Sequence, residues 1–221
     1  MPAAHGVSRP AGRPSTCCWH DRVVSTLIVT AHPDPDSLTL AVAHRLETSL
    51  DAAGAGPVTV ADLAAEGFDP RFTAADQHTY RTGTDPAPDV AAEQARLDGT
   101  DHLVLVFPVW WWSVPALLKG WLDRVFVNGW AFGVGEGGRI ERRLGRLTVH
   151  LVPIAGDDAG VYERHGYEQA LRTQLEHGVV DFCGAERGAT AFVHESEHED
   201  PAVRERAVAA AVERVVAAVR G

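Results

Sequence analysis

The sequence predicts an α/β domain, with one parallel sheet of five strands doubly wound by helices on both faces. Short runs rich in Val, Leu and Ile, such as Ser25–Ala31 and Leu103–Pro108, read as strands buried on both faces. Segments with apolar residues at helical spacing alternate with these runs. The chain of 221 residues suits one such domain and leaves little room for a second.

Residues 1–22 carry Pro, Gly, Ser, Arg and His without periodicity and lack the apolar centre of a signal peptide. They are expected to form a disordered extension, with the folded domain at 23–221. The first strand, within Ser25–Ala31, ends in His32-Pro33-Asp34-Pro35-Asp36-Ser37, where two prolines forbid immediate helix. Ser37 then reads as an N-cap, and Leu38, Ala41, Val42 and Leu46 continue at helical spacing. Free amides at that helix start suit an anion such as a phosphate. Neither a Walker loop nor a GxGxxG turn is present.

Val58–Leu63 reads as the second strand. A long connection from Ala64 to Asp89 marks function or an interface, and Val90–Leu97 a helix. The third strand, Leu103–Pro108, runs into Trp110, Trp111 and Trp112. Three successive indoles cannot all enter a core, so at least one covers a flat ligand or a partner surface. Ser113 and Pro115 predict the start of a helix with Leu117, Leu118, Trp121, Leu122, Val125 and Phe126 on one face. Lys119, Asp123 and Arg124 are expected on its opposite face.

Asn128–Gly138 reads as a mobile glycine-rich loop and Leu147–Ile154 as the fourth strand. A loop over 155–165 follows, carrying Tyr162 and His165. A helix begins near Ala170, Thr190–His194 reads as the fifth strand, and Asp200-Pro201 opens an amphipathic last helix. Three loops, 32–37, 108–113 and 155–165, then share one edge of the sheet, where open α/β sheets bind ligands.

Net charge is -10, which recommends neither nucleic acid nor an anionic membrane. No apolar stretch is long and uninterrupted enough to span a bilayer. The three cysteines have no metal spacing and form no disulfide framework, which makes a reducing cytoplasm the expected compartment. No histidine pair has metal-ligand spacing, so no metal is expected.

Three blocks carry a resemblance: His32-Pro33 with Ser37; Asp62-Leu63 followed by Gly67-Phe68-Asp69-Pro70; and Phe107–Phe126, FPVWWWSVPALLKGWLDRVF. With Phe182-Cys183-Gly184 they resemble the NAD(P)H:quinone oxidoreductase family of DT-diaphorase type, from about Thr26 to Gly184. The resemblance implies a flavodoxin-like sheet in the order 2-1-3-4-5 and a homodimer. It further implies bound FAD, or FMN in some branches, and NAD(P)H as donor to a small quinone by ping-pong hydride transfer. Carried over, it puts His32, Ser37, Leu38 and Thr39 at the flavin phosphates, and Pro108, Val109, Trp110, Trp111 and Trp112 at the isoalloxazine. Gly156 falls at the pyrimidine side, with Tyr162 and His165 as the catalytic pair facing the reacting ring. Reduction of an azo or nitro compound in the same slot, and a flavodoxin-like carrier or accessory subunit, are the alternatives.

Overall fold

The computed structural model describes residues 24–221. The expected disorder of 1–22, the boundary at Val23 and the pair Cys17-Cys18 lie outside them. The chain runs β1 (Thr26–Thr30), α1 (Leu38–Ala52), β2 (Val58–Asp62), α2 (Ala74–Thr82), α3 (Pro88–Asp98), β3 (His102–Pro108) and α4 (Ala116–Val125). β4 (Phe132–Val134), β5 (Ile140–Arg142), β6 (Thr148–Ile154), α5 (Ala159–His165) and α6 (Tyr167–Arg172) follow. A π-helical stretch Thr173–Asp181, β7 (Glu186–Thr190) and α7 (Pro201–Arg220) complete it.

Five parallel strands form one sheet, in the order β2-β1-β3-β6-β7. Counted along the whole chain, this differs from the expected 2-1-3-4-5, because β4 and β5 pair with each other in a separate antiparallel sheet. That hairpin occupies the segment expected to be a mobile loop. The central strands are apolar on both faces because both faces are covered. Leu103, Leu105 and Phe107 pack toward Leu118, Trp121 and Val125 of α4, while Val104 and Val106 join Val42, Leu46, Val212 and Val215 of α1 and α7.

Four further expectations are corrected. The long connection holds α2, which starts with a reciprocal cap between Thr73 and Asp76. Pro115, not Ser113, is the N-cap of α4; Ser113 pairs back to Trp110. Residues 159–165 are helical, started by the Asp158 side chain accepting from the Val161 amide. Arg124 does not face solvent: it is 6% exposed and ties α4 to its neighbours. Its Nε donates to Asp76 at 3.0 Å, and one terminal nitrogen donates to Asp89 at 2.6 Å and to the Asp69 carbonyl at 2.7 Å.

The fifth parallel strand begins four residues earlier than expected, because its register breaks at His150. Val149 pairs with Arg187 and Leu151 with Thr190, so Gly188 and Ala189 together oppose His150. Such a bulge leaves a backbone donor without its ladder partner. The His150 ring takes it: the Ala189 amide donates to His150 Nδ1 at 3.0 Å. Glycine is required beside it, since a Cβ on Gly188 would come within 2.5 Å of the ring. The expected segment 190–194 continues along β6 by backbone bonds from Ala191 to Leu151 and from Val193 to Pro153.

Candidate active site

The carboxyl ends of β1, β3 and β6 lie side by side, and each feeds one wall of the site. After β1, His32 Nδ1 lies 3.1 Å from the Asp34 amide and 3.2 Å from the Asp34 carbonyl, which ties the ring to its own loop. The Ser37 hydroxyl accepts from the Leu40 amide at 3.3 Å and caps α1. The start of this 15-residue helix is therefore presented at the sheet edge, as an anion site requires. Leu38 is half-buried at that start and Thr39 is buried.

After β3, Pro108 is buried, and the Val109 amide extends the ladder to the Ile154 carbonyl at 2.8 Å. Trp110 and Ser113 then exchange backbone hydrogen bonds of 3.1 Å each, closing a two-residue turn. Trp111 and Trp112 occupy its centre with φ of 49° and 56°. Such positions ordinarily take Asn or Gly, and a left-handed tryptophan costs roughly 1–3 kcal/mol. The turn persists because it is held from several sides. Trp110 meets His32 at 5.7 Å, Trp111 meets Trp112 edge-on at 5.7 Å, and the Ser113 hydroxyl donates to Gln174 at 3.1 Å. Trp111 itself is 88% exposed.

After β6, the loop 155–158 is pinned to the segment following β7. The Ser196 amide donates to the Ala155 carbonyl at 3.0 Å and the Glu195 amide to the Asp157 carbonyl at 3.1 Å. A cavity of about 280 Å³ opens between the exits of β3 and β6, lined by Val109, Trp111, Trp112, Gly156, Asp157, Tyr162 and Glu197. Tyr162 is almost wholly buried, and burial, with the Asp157 carboxylate adding to it, pushes its hydroxyl up to about 12. It therefore keeps its proton at any physiological pH and can donate a hydrogen bond.

The expected site residues thus separate into groups. Val109, Trp111, Trp112, Gly156 and Tyr162 meet around one cavity. His32 meets Trp110, which precedes the lining residues Trp111 and Trp112, while Ser37, Leu38 and Thr39 form the helix start that follows β1 at the same sheet edge. His165 is not brought in: it is exposed at the end of α5 and stacks on Tyr167 at 5.1 Å. The histidine against Tyr162 is His194, at 5.0 Å and edge-on, its Nδ1 buried without a hydrogen-bond partner. Sequence reading missed His194, Tyr167, Asp157 and Glu197 as site residues. Glu197 and His194 lie in or beside a polar tract that reads as a solvated loop, and only the tertiary pairing of 195–196 with 155–157 reveals their place. Among the described residues, no group of His, Cys, Asp and Glu could hold a metal ion.

Comparison with known proteins bears on this arrangement. The profile of a flavodoxin-like fold family matches residues 25–219. A ribosyldihydronicotinamide dehydrogenase [quinone] of Pongo abelii is 33% identical over 180 residues, covering 72% of this chain and 76% of its own. An NAD(P)H oxidoreductase of Escherichia coli strain K12 is 32% identical over 172 residues, 75% of this chain and 81% of its own. Among solved structures, an NAD(P)H:quinone oxidoreductase from Methanothermobacter marburgensis superposes with a TM-score of 0.77 at 25% identity, over 86% of this chain and 96% of that one. The chain belongs to the flavodoxin-like fold family, among the NAD(P)H:quinone oxidoreductases.

Proposed function

We propose that the protein is an NAD(P)H-dependent flavoprotein that reduces small quinones by two electrons, donor and acceptor using one slot in turn. The observation that carries this reading is the cavity between the Trp111–Trp112 turn, Gly156 and Tyr162, at the same carboxyl edge of the sheet from which β1 leads to the α1 start. It pairs a flat aromatic wall with a protonated hydroxyl, and shares that edge with helix amides that suit a phosphate.

Those residues fit a flavin nucleotide. The α1 amides at Leu38 and Thr39, with Ser37 and His32, would hold phosphate. Pro108, Val109 and Trp110–Trp112 would flank the ring system, and Gly156 would admit it closely. A bound flavin would accept hydride from NAD(P)H and pass the electrons on. The protein's part is to position, to exclude water and to donate. Tyr162 holds a proton at its hydroxyl and offers it as a hydrogen bond where negative charge develops. Trp111 and Trp112 give the nicotinamide and the quinone the same apolar surface, which keeps water from the transfer. FAD is proposed, as the resemblance implies, with FMN as the alternative; a second cavity, about 250 Å³, lies along α1 between Leu38, Arg45, Pro201, Arg204 and Glu205.

A homodimer in the cytoplasm completes the reading. Phe72, Tyr80 and Phe182 are exposed, and with Phe126 and Phe132 they line an apolar groove of about 780 Å³ beside α4. A second copy would cover that face. No helix among the described residues is long and apolar enough to cross a membrane, and the cysteine usage suits a reducing compartment.

The test is to purify the protein, identify any released yellow cofactor, and follow NADPH and NADH oxidation with menadione and with an azo dye. Released FAD and parallel double-reciprocal plots with menadione are expected. A colourless protein that binds neither added FAD nor FMN overturns the reading. Intersecting plots overturn the alternating use of one slot.

A further inference from the structure

A second tyrosine stands behind the strained turn. Tyr167 opens α6 directly after Gly166, whose φ of 69° ends α5. The Tyr167 ring lies 4.4 Å from Trp112 with the planes 27° apart, and 5.1 Å from His165 with the planes 20° apart. Two near-parallel rings at those distances on one face would overlap each other. Trp112 and His165 therefore cover opposite faces of Tyr167, in a stack of three. Tyr162 meets the same ring edge-on at 5.9 Å.

We propose that Tyr167 is a positioning residue for the ring pocket: clamped between His165 and Trp112, it holds the left-handed Trp111–Trp112 turn in the shape that lines the cavity. This rests on reading the cavity as a flavin site. Trp112 has a wall of the cavity to form, and its backbone sits where a β-carbon is unfavourable. A turn of that kind relaxes unless its side chains are fixed by neighbours. Trp111 meets Trp112 only edge-on and is otherwise in solvent, so it supplies little of that restraint. Tyr167 can, because its own neighbours fix it: His165 behind and Tyr162 at the edge. The role uses the ring face and not the hydroxyl. It also accounts for His165, which serves as the outer plate of the stack and not as a proton donor in the cavity.

The test compares full-length Tyr167→Phe, Tyr167→Leu and His165→Ala with the parent. Two readouts are taken: acrylamide quenching of tryptophan fluorescence in cofactor-free protein, and FAD affinity with quinone KM and kcat. Tyr167→Phe is expected to match the parent throughout. Tyr167→Leu is expected to increase quenching, weaken FAD binding about tenfold and raise quinone KM about tenfold, with kcat within threefold. His165→Ala should lie between them. Parent-like quenching in Tyr167→Leu overturns the proposal, whether or not the parent binds flavin. So does Tyr167→Phe behaving like Tyr167→Leu, since the hydroxyl would then carry the role. If the parent takes up no flavin while Tyr167→Leu still shows raised quenching, the flavin reading fails and the positioning role stands.

Discussion

The two ends of the central strands β3 and β6 are built on opposite rules, and histidine shows it. At the amino end, His150 is wholly buried, and both its ring nitrogens are used. The Ala189 amide donates to Nδ1, and Nε2 lies 3.0 Å from His102 Nδ1. Because Nδ1 accepts, Nε2 must carry the hydrogen and donate to His102. The pair has one workable arrangement, with both rings neutral. At the carboxyl end, His194 keeps a buried nitrogen with no partner, two tryptophans sit in a left-handed turn, and Trp111 projects into solvent. At one end the histidine pair is closed, though the buried Thr26 hydroxyl in register with His102 has no hydrogen-bond partner among the described residues. The other carries strain and an unpaired group, as ligand sites do. A shared ladder joins them, so substitutions that act on one end and spare the other measure how separate they are.

The largest effect is expected at the open end. Tyr162→Phe removes the hydroxyl donor of a cavity-lining residue while keeping the buried ring against Phe192 and His194. Losing one such donor is expected to slow flavin reduction about 100-fold, on the order of 3 kcal/mol, with flavin affinity and melting temperature nearly unchanged. Stopped-flow bleaching against a binding titration separates the two. Equal losses in rate and affinity would make Tyr162 a packing residue, and the contrast between the ends would weaken.

The sealed end should answer to pH instead. Burial, with the facing His102 adding to it, lowers His150 to about 4, and burial also lowers His102 against the opposing pull of Asp101. The unfolded chain takes up a proton near 6.5 and the folded chain does not until about 4. Unfolding therefore binds protons across that window. The stability this holds is full above it and is lost as pH falls through it, about 2 kcal/mol between pH 7 and pH 5 for His150 alone. Urea midpoints at both pH values should fall further in the parent than in His150→Gln. Identical acid slopes would show that the pair is not what titrates.

How far the sequence revealed these ends follows from what each is made of. The sheet was legible because TLIVT and HLVLVFP are buried on both faces and read as unbroken apolar runs. The hairpin β4–β5 was not, because three-residue strands bracketing a glycine-rich turn carry no alternation. Helix α2 has only Asp76 and Thr79 buried, so no apolar stripe announced it; the Thr73-x-x-Asp76 cap was the signal available. At the site, the tryptophan turn stood out by composition. The partner of Tyr162 did not: the family resemblance suggested His165, but the helix capped by Asp158 and ended at Gly166 turns that residue onto Tyr167. His194 arrives from a different strand exit, which local sequence does not encode.

A smaller effect sharpens the sealed end by packing alone. Gly188→Ala places a methyl where His150 Cε1 and Nδ1 stand 2.5 Å away. The ring must shift, and the Ala189 amide loses its acceptor. Overpacking of this kind costs about 1–3 kcal/mol, read as a lowered urea midpoint at neutral pH, and it should flatten the acid slope as well. The flavin-site readouts should stay at parental values if the ends are independent. A coupled loss of FAD affinity would show that β7 transmits register to the 195–197 wall.

The smallest effect belongs to the α1 start. Ser37→Ala removes the hydroxyl that accepts from the Leu40 amide, which costs about 1 kcal/mol of stability. If Ser37 only caps, that is the whole effect, and flavin affinity follows stability. If the helix start also receives a phosphate, affinity falls by a further factor for FAD and FMN alike but not for riboflavin, which has no phosphate to lose. Ser37→Gly, which keeps most of the cap preference at a cost of a few tenths of a kcal/mol, separates the two roles. Near-parental stability with weakened binding of the phosphorylated flavins assigns the hydroxyl to the ligand. Parental binding of all three assigns it to the helix, and the anion site then rests on the α1 amides alone.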